Sequence, residues 1–116
     1  MRGEDISHRL LDFAVRIIQL TDSLPNSFVG KHIGGQILRS GTSPGANYEE
    51  ARGAESNADF VHKLGIVLKE LSETRYWLRV IMESELMPRN RLEGLFSEAN
   101  ELCKIIGKSV MTAKKK

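Results

Sequence analysis

The feature that constrains this fold most is the segment 39–51, which reads Arg-Ser-Gly-Thr-Ser-Pro-Gly-Ala-Asn-Tyr-Glu-Glu-Ala. It places small residues and a proline in the middle of a sequence that is helical in pattern on both sides. As a loop, it would divide the chain into five or more short elements. As a helix, it would bend near Pro44, because proline lacks a backbone donor and crowds the preceding turn. We expect the segment to belong to a helical stretch that is kinked, or briefly broken, near Pro44.

Glycines support this interpretation only if a second helix packs closely against them. Each costs about 1 kcal/mol relative to alanine inside a helix, so several together need compensation. Four of them fall mostly on one side of the predicted helix: Gly30, Gly34, Gly41 and Gly45. We therefore predict that this side is a close-packing surface.

Apolar residues at three- and four-residue spacing predict helices along the rest of the chain. The first would begin at a Ser7 N-cap and end near Ser23, with Leu10, Leu11, Ala14, Ile17, Ile18 and Thr21 on its apolar face. The others would run from about Ser27 to Glu55, from a cap at Ser56 or Asn57 to about Ser84, and from Asn90, where Glu93 completes a capping-box pattern. Tyr76 and Trp77 are predicted to widen the apolar face of the third helix.

Four helices with short connections predict an all-α fold, an antiparallel up-down four-helix bundle whose second helix is kinked near Pro44. We expect one domain spanning residues 1–116, with frayed ends at about 1–6 and 112–116. Long helices in so small a chain also leave apolar surface for oligomerisation.

Composition and charge limit the cellular compartment and the kinds of partner that the sequence predicts. The formal charge is +2, and the three lysines at 114–116 supply the excess of the second half. A near-neutral body does not by itself imply a nucleic-acid partner. Cys103 is the single cysteine, there is no long apolar run, and acids follow Met1 where a signal peptide needs apolar residues. We expect a cytoplasmic protein with no membrane partner.

No arrangement of reactive side chains predicts an enzyme. The histidines, His8, His32 and His62, fall on three different predicted helices, and we expect them to be exposed. No Glu-x-x-His pair is present, so a di-metal carboxylate site is not favoured. We predict a buried, unreactive Cys103, no catalytic residue, no metal and no cofactor.

Polar residues on the second and third helices form two candidate groups. We interpret the first as a buried polar network, with a ligand site at the bend as the alternative: Ser40, Ser43, Asn47, Glu50, Glu70 and Glu73. The second group could form a basic stripe that contacts nucleic acid or a partner, or a solvated, salt-bridged face: Arg39, Arg52, Lys63, Lys69, Arg75 and Arg79.

Several stretches of the chain resemble the bacterial four helix bundle protein family, which includes proteins encoded in intervening sequences of large-subunit ribosomal RNA genes. The resemblance covers nearly the whole chain. It rests on Asp12-Phe13-Ala14, on 36–40 and 43–51, on Ser56 to Lys63, on Lys69 to Leu78 and on Glu98 to Leu102. The accessory proteins of diversity-generating retroelements are similar as well.

The resemblance implies a left-handed bundle with the second helix running through the proline, and a homopentamer around a central channel. The retroelement relatives bind a reverse transcriptase and RNA through a basic surface. No catalytic residues come with the resemblance. We therefore expect a non-enzymatic oligomer that binds structured RNA or an RNA-associated protein; a scaffold for a protein partner is the alternative. An enzyme using Ser40, Ser43, Asn47 and Glu50 is the third hypothesis.

Overall fold

The computed structural model describes residues 1–116. Its elements are α1 (Gly3–Ser23), α2 (Phe28–Arg52), α3 (Asn57–Glu83), a 3-10 turn (Arg89–Arg91) and α4 (Glu93–Lys114). There are four helices and no strand, so the predicted all-α bundle is confirmed. The body is elongated, with extents of 47 × 21 × 19 Å. No helix has the length and apolar character needed to cross a membrane.

Side-chain caps begin the two central helices. Ser27 Oγ accepts a hydrogen bond from the backbone of Gly30 at 3.0 Å, and Ser56 Oγ accepts one from Asp59 at 3.1 Å. Both hydroxyls satisfy a backbone donor that the first helical turn leaves free. Of Ser56 and Asn57, the two residues predicted to cap α3, Ser56 is therefore the cap.

The ends of the outer helices differ from the prediction. Helix α1 begins at Gly3, so the predicted cap Ser7 lies inside it. Asn90 does not cap α4, because it lies in the 3-10 turn that follows Pro88, and α4 begins only at Glu93. Helix α1 starts at residue 3 and α4 continues to Lys114, and the fraying of the two ends stays a prediction.

The glycine side of α2 packs against α1, as the sequence predicts. A Cβ atom built on Gly41 would lie 2.7 Å from two side-chain carbons of Ile17, which is closer than carbon atoms can approach. One built on Gly45 would lie 3.7 Å from Leu10. Residues later in α2 thus meet residues earlier in α1, so the two helices run in opposite directions. Helix α2 continues unbroken through Pro44, and the kink there stays a prediction.

The core is one apolar cluster shared by all four helices. On α1 its members differ from the predicted face. The buried residues are Ile6, Leu10, Phe13, Ile17 and Leu20, whereas Leu11 and Ile18 point outward. Leu11 and Ile18 each follow a buried residue, about 100° around the helix, and so face away from the core.

Two residues of the other helices complete the comparison with the predicted core. Cys103 is buried on the apolar face of α4, as predicted. Tyr76 is exposed rather than packed in the core. It lies on the far side of α3 from the buried Leu78, because two residues turn a helix through about 200°.

Candidate interaction surfaces

A buried pair of hydroxyls joins α2 to α3. Of the predicted buried network, only Ser40 is fully enclosed. Thr74 Oγ1 is hydrogen-bonded to Ser40 Oγ at 3.0 Å and to the carbonyl oxygen of Glu70 at 2.8 Å, and Ser40 Oγ lies 3.4 Å from the carbonyl oxygen of Ile37. The sequence reasoning missed Thr74. Its position three residues after Leu71 and four before Leu78, both apolar, placed it on the buried face of α3 and was a usable signal.

Other members of the predicted network form separate local groups. Asn47 Nδ2 donates to both the carbonyl oxygen and the hydroxyl of Ser43, at 3.0 and 2.9 Å, within α2. Glu50 is exposed and forms an ion pair with Lys63 at 2.9 Å. Its hydrogen bond and charge raise the pKa of Lys63. No continuous buried network joins these groups, because the helical spacing aims their side chains at different neighbours.

Thr74→Val is expected to lower the free energy of unfolding by about 1 kcal/mol, because it removes the side-chain hydrogen-bond partner of the buried Ser40 hydroxyl. Adding Ser40→Ala should restore part of that loss, since no buried hydroxyl is then left without its partner. Urea unfolding of the two single variants and the double variant measures both effects. Thr42→Val is the matched control, because Thr42 bonds only to backbone carbonyls of its own helix. Equal losses at both threonines would contradict the buried pair.

Four of the six predicted basic contacts hold helices to one another. Arg39 forms ion pairs with Glu70 and Glu73 of α3, and Lys63 pairs with Glu50. Arg52 donates to Ser7 Oγ at 3.0 Å. Arg75 donates to Asn100 Oδ1 at 3.1 Å. Lys69 and Arg79, the remaining two, are exposed and have no ion-pair partner.

An ion pair that the sequence did not indicate connects α1 to α4. Arg9 donates to both carboxylate oxygens of Glu98, at 3.0 and 2.6 Å. The hydrogen bond to Glu98 raises the pKa of Arg9. Because Arg9 and Glu98 are far apart in sequence, only the folded arrangement of the helices reveals the pair.

Aromatic and basic side chains gather on the outer surface of α2 and α3. The Trp77 ring makes edge contacts with His32, at a centroid distance of 6.5 Å, and with Tyr76, at 5.2 Å. Phe28 lies one helical turn before His32 on the same side of α2. We call this surface the aromatic–basic patch, and it comprises Phe28, Lys31, His32, Lys69, Tyr76, Trp77 and Arg79.

A line of exposed aliphatic residues runs along α1. Leu11, Val15 and Ile18 are 58%, 44% and 45% exposed and recur at four and three residues. We call them the α1 stripe. Beside it, a groove of about 470 Å³ separates α1 from α2, and Ala14 and Ala46 line part of it. Helix α1 has more apolar residues than its buried face accommodates, and the residues of the α1 stripe are those left exposed.

Together, these elements define a small, all-α protein built as a bundle of four helices. The profile of the family described as 23S rRNA-intervening sequence protein matches residues 4–108. The chain therefore belongs to the 23S rRNA-intervening sequence protein family.

A solved structure supports the same assignment. It is a protein of unknown function from the S23 ribosomal protein family of Bacteroides thetaiotaomicron, 40% identical to this chain. The alignment covers 96% of this chain and 99% of the other, with a TM-score of 0.89. Comparison with curated proteins gave no match.

Proposed function

We propose that this protein is a non-enzymatic homo-oligomer, a pentamer, whose subunits associate through the α1 stripe. The assembly binds structured RNA or an RNA-associated protein. The observation that carries self-association is the exposure of Leu11, Val15 and Ile18 in one line on one helix.

Covering the stripe with another subunit is favourable because it removes aliphatic surface from water, at about 25 cal/mol per Å². The stripe and the neighbouring groove offer a second helix an apolar ridge beside small residues, a surface suited to helix packing. A ring requires two different contact faces on every subunit. In this proposal the stripe is one face of that contact, and five copies follow from the family resemblance.

Native mass spectrometry over a series of protein concentrations tests the assembly. The expected result is a species of five times the 13.0 kDa subunit mass, which dissociates on dilution. A single species at the subunit mass, at micromolar and higher concentrations, would rule the oligomer out. A different stable multiple would retain self-association and replace the number five.

Binding to RNA is supported by the cations that the fold leaves unpaired. Lys69 and Arg79 are free on α3, and Lys114 to Lys116 end the chain. Phosphate contacts release counterions, so affinity for a structured RNA should fall steeply as salt increases. Affinity that does not change with salt would exclude phosphate contacts. No binding at low salt would end the RNA proposal.

A protein-partner scaffold is the second candidate, and the pairing of the cations favours it. Arg39 and Lys63 are partly neutralised by glutamates, which weakens any basic field on the subunit. This candidate predicts one protein that remains bound in a fixed ratio to the subunit after nuclease treatment, with no measurable affinity for RNA. Binding to purified RNA alone would count against it.

A further inference from the structure

We propose that the aromatic–basic patch is a stacking platform for unpaired bases of RNA. The inference rests on the RNA-binding part of the proposed function and names the kind of RNA segment bound. It adds an expectation that phosphate contacts alone do not give: the protein should prefer single-stranded RNA over duplex RNA.

The first argument is the exposure of aromatic rings. Phe28 is 89% exposed and Tyr76 is 59% exposed. Neither ring is needed by the core, which is complete without them. Bases stack on aromatic side chains of this kind in proteins that bind single strands, with little dependence on base identity.

The second argument is that neighbouring rings are held in fixed positions. Trp77 Nε1 donates a hydrogen bond to Glu73 Oε2 at 3.0 Å, which orients the indole. Tyr76 and His32 both contact that indole by their edges. A preorganised surface loses less conformational entropy when a base stacks on it than a set of mobile side chains does.

The third argument is charge that is available to phosphates. Lys31, Lys69 and Arg79 are exposed and make no ion pair. Lys69 and Arg79 lie ten residues apart on α3, about 15 Å along the axis, with Tyr76 between them. Cations on both sides of an exposed ring match a strand whose phosphates flank its bases.

Duplex RNA fits this patch poorly. In a helix the faces of the bases are stacked on one another, and only their edges and the backbone are exposed. Phe28 and Tyr76 would then gain no stacking partner. Single-stranded loops and ends present free base faces, so the aromatic component of the patch acts only on them.

Fluorescence of the single tryptophan gives a local readout, since Trp77 lies within the patch. We would titrate the wild-type protein with a short single-stranded oligoribonucleotide and with a fully paired, blunt-ended RNA duplex of equal phosphate count. The expected result is quenching of Trp77 and tighter binding with the single strand. Equal affinity for the duplex, without quenching, would overturn the stacking proposal and leave general RNA binding intact.

Variants separate stacking from charge. Phe28→Ala and Tyr76→Ala should each weaken single-strand binding roughly tenfold, whereas Tyr76→Phe retains the ring and should bind normally. Lys69→Gln and Arg79→Gln should instead reduce the dependence of affinity on salt. Met111→Ala is the matched control, because Met111 is as exposed as Tyr76 but lies on α4. Its affinity should not change.

Two other results of these experiments would also refute the stacking proposal. If Phe28→Ala and Tyr76→Ala reduce the number of subunits without changing RNA affinity, the patch is a subunit contact and the inference is wrong. If no RNA of either kind binds at low salt, the inference and the RNA part of the proposed function fail together, while self-association is tested separately by mass.

Discussion

Gly41→Leu is expected to lower the free energy of unfolding by about 3 kcal/mol. A Cβ at this position already meets Ile17 at 2.7 Å, and three further carbons would separate α1 from α2. Small domains are stable by about 5–15 kcal/mol, so the loss is a large share of the total. Urea unfolding at a fixed protein concentration measures it, because association shifts apparent stability.

Gly35→Leu is the matched control on the same helix. Gly35 is exposed, and a Cβ built on it meets nothing within 4 Å. Leucine there should be neutral or stabilising by up to about 1 kcal/mol, since glycine is the poorer helix former. Comparable losses at positions 41 and 35 would show that α1 and α2 do not pack as closely as the structure indicates.

Ile18→Glu is expected to dissociate the oligomer into subunits that remain folded. Ile18 is 45% exposed, so the substitution leaves the core of the subunit in place. At a subunit contact, however, the carboxylate would lose its water, at a cost of several kcal/mol. Each increment of about 1.4 kcal/mol weakens association tenfold. Native mass spectrometry should show the subunit mass, and circular dichroism should show unchanged helix content.

Gln19→Glu introduces the same charge one residue later. Gln19 is exposed on another side of α1 and lines a surface pocket with Arg16 and Arg91, where a carboxylate is favourable. This variant should assemble like the wild type. If both variants dissociate, the cause is net charge rather than the stripe; if neither does, the α1 stripe is not the subunit contact.

Local patterns predicted much of this fold. The serine cap of α3 and the close-packing glycines of α2 depend on residues near one another in sequence, and a short window contains that information. Asn90 was assigned wrongly because the turn after Pro88 brings the fully buried Leu92 to the start of α4. That requirement comes from tertiary packing, which a capping pattern does not contain.

Candidate surfaces were harder to predict, because they depend on which side chains the fold leaves free. Arg39 and Lys69 look alike in the sequence, yet Arg39 is paired with glutamates 31 and 34 residues away, and Lys69 is not paired. Only the register of α2 against α3 determines which of the two side chains has an ion-pair partner. The exposure of Phe28 was not predictable from the sequence either, because phenylalanine is among the residues most often buried.

Alkylation of Val15→Cys, in a Cys103→Ala background, tests the central claim most directly. Val15 lies in the middle of the stripe, so its thiol would be covered by the next subunit. The proposal predicts that the Val15→Cys thiol is alkylated slowly at protein concentrations where the oligomer forms and fast after dilution. The thiol of Gln19→Cys should be alkylated fast at both concentrations. Equally fast reaction of the Val15→Cys variant at both concentrations, with the oligomer intact, would show that the stripe faces solvent and would contradict the proposed assembly.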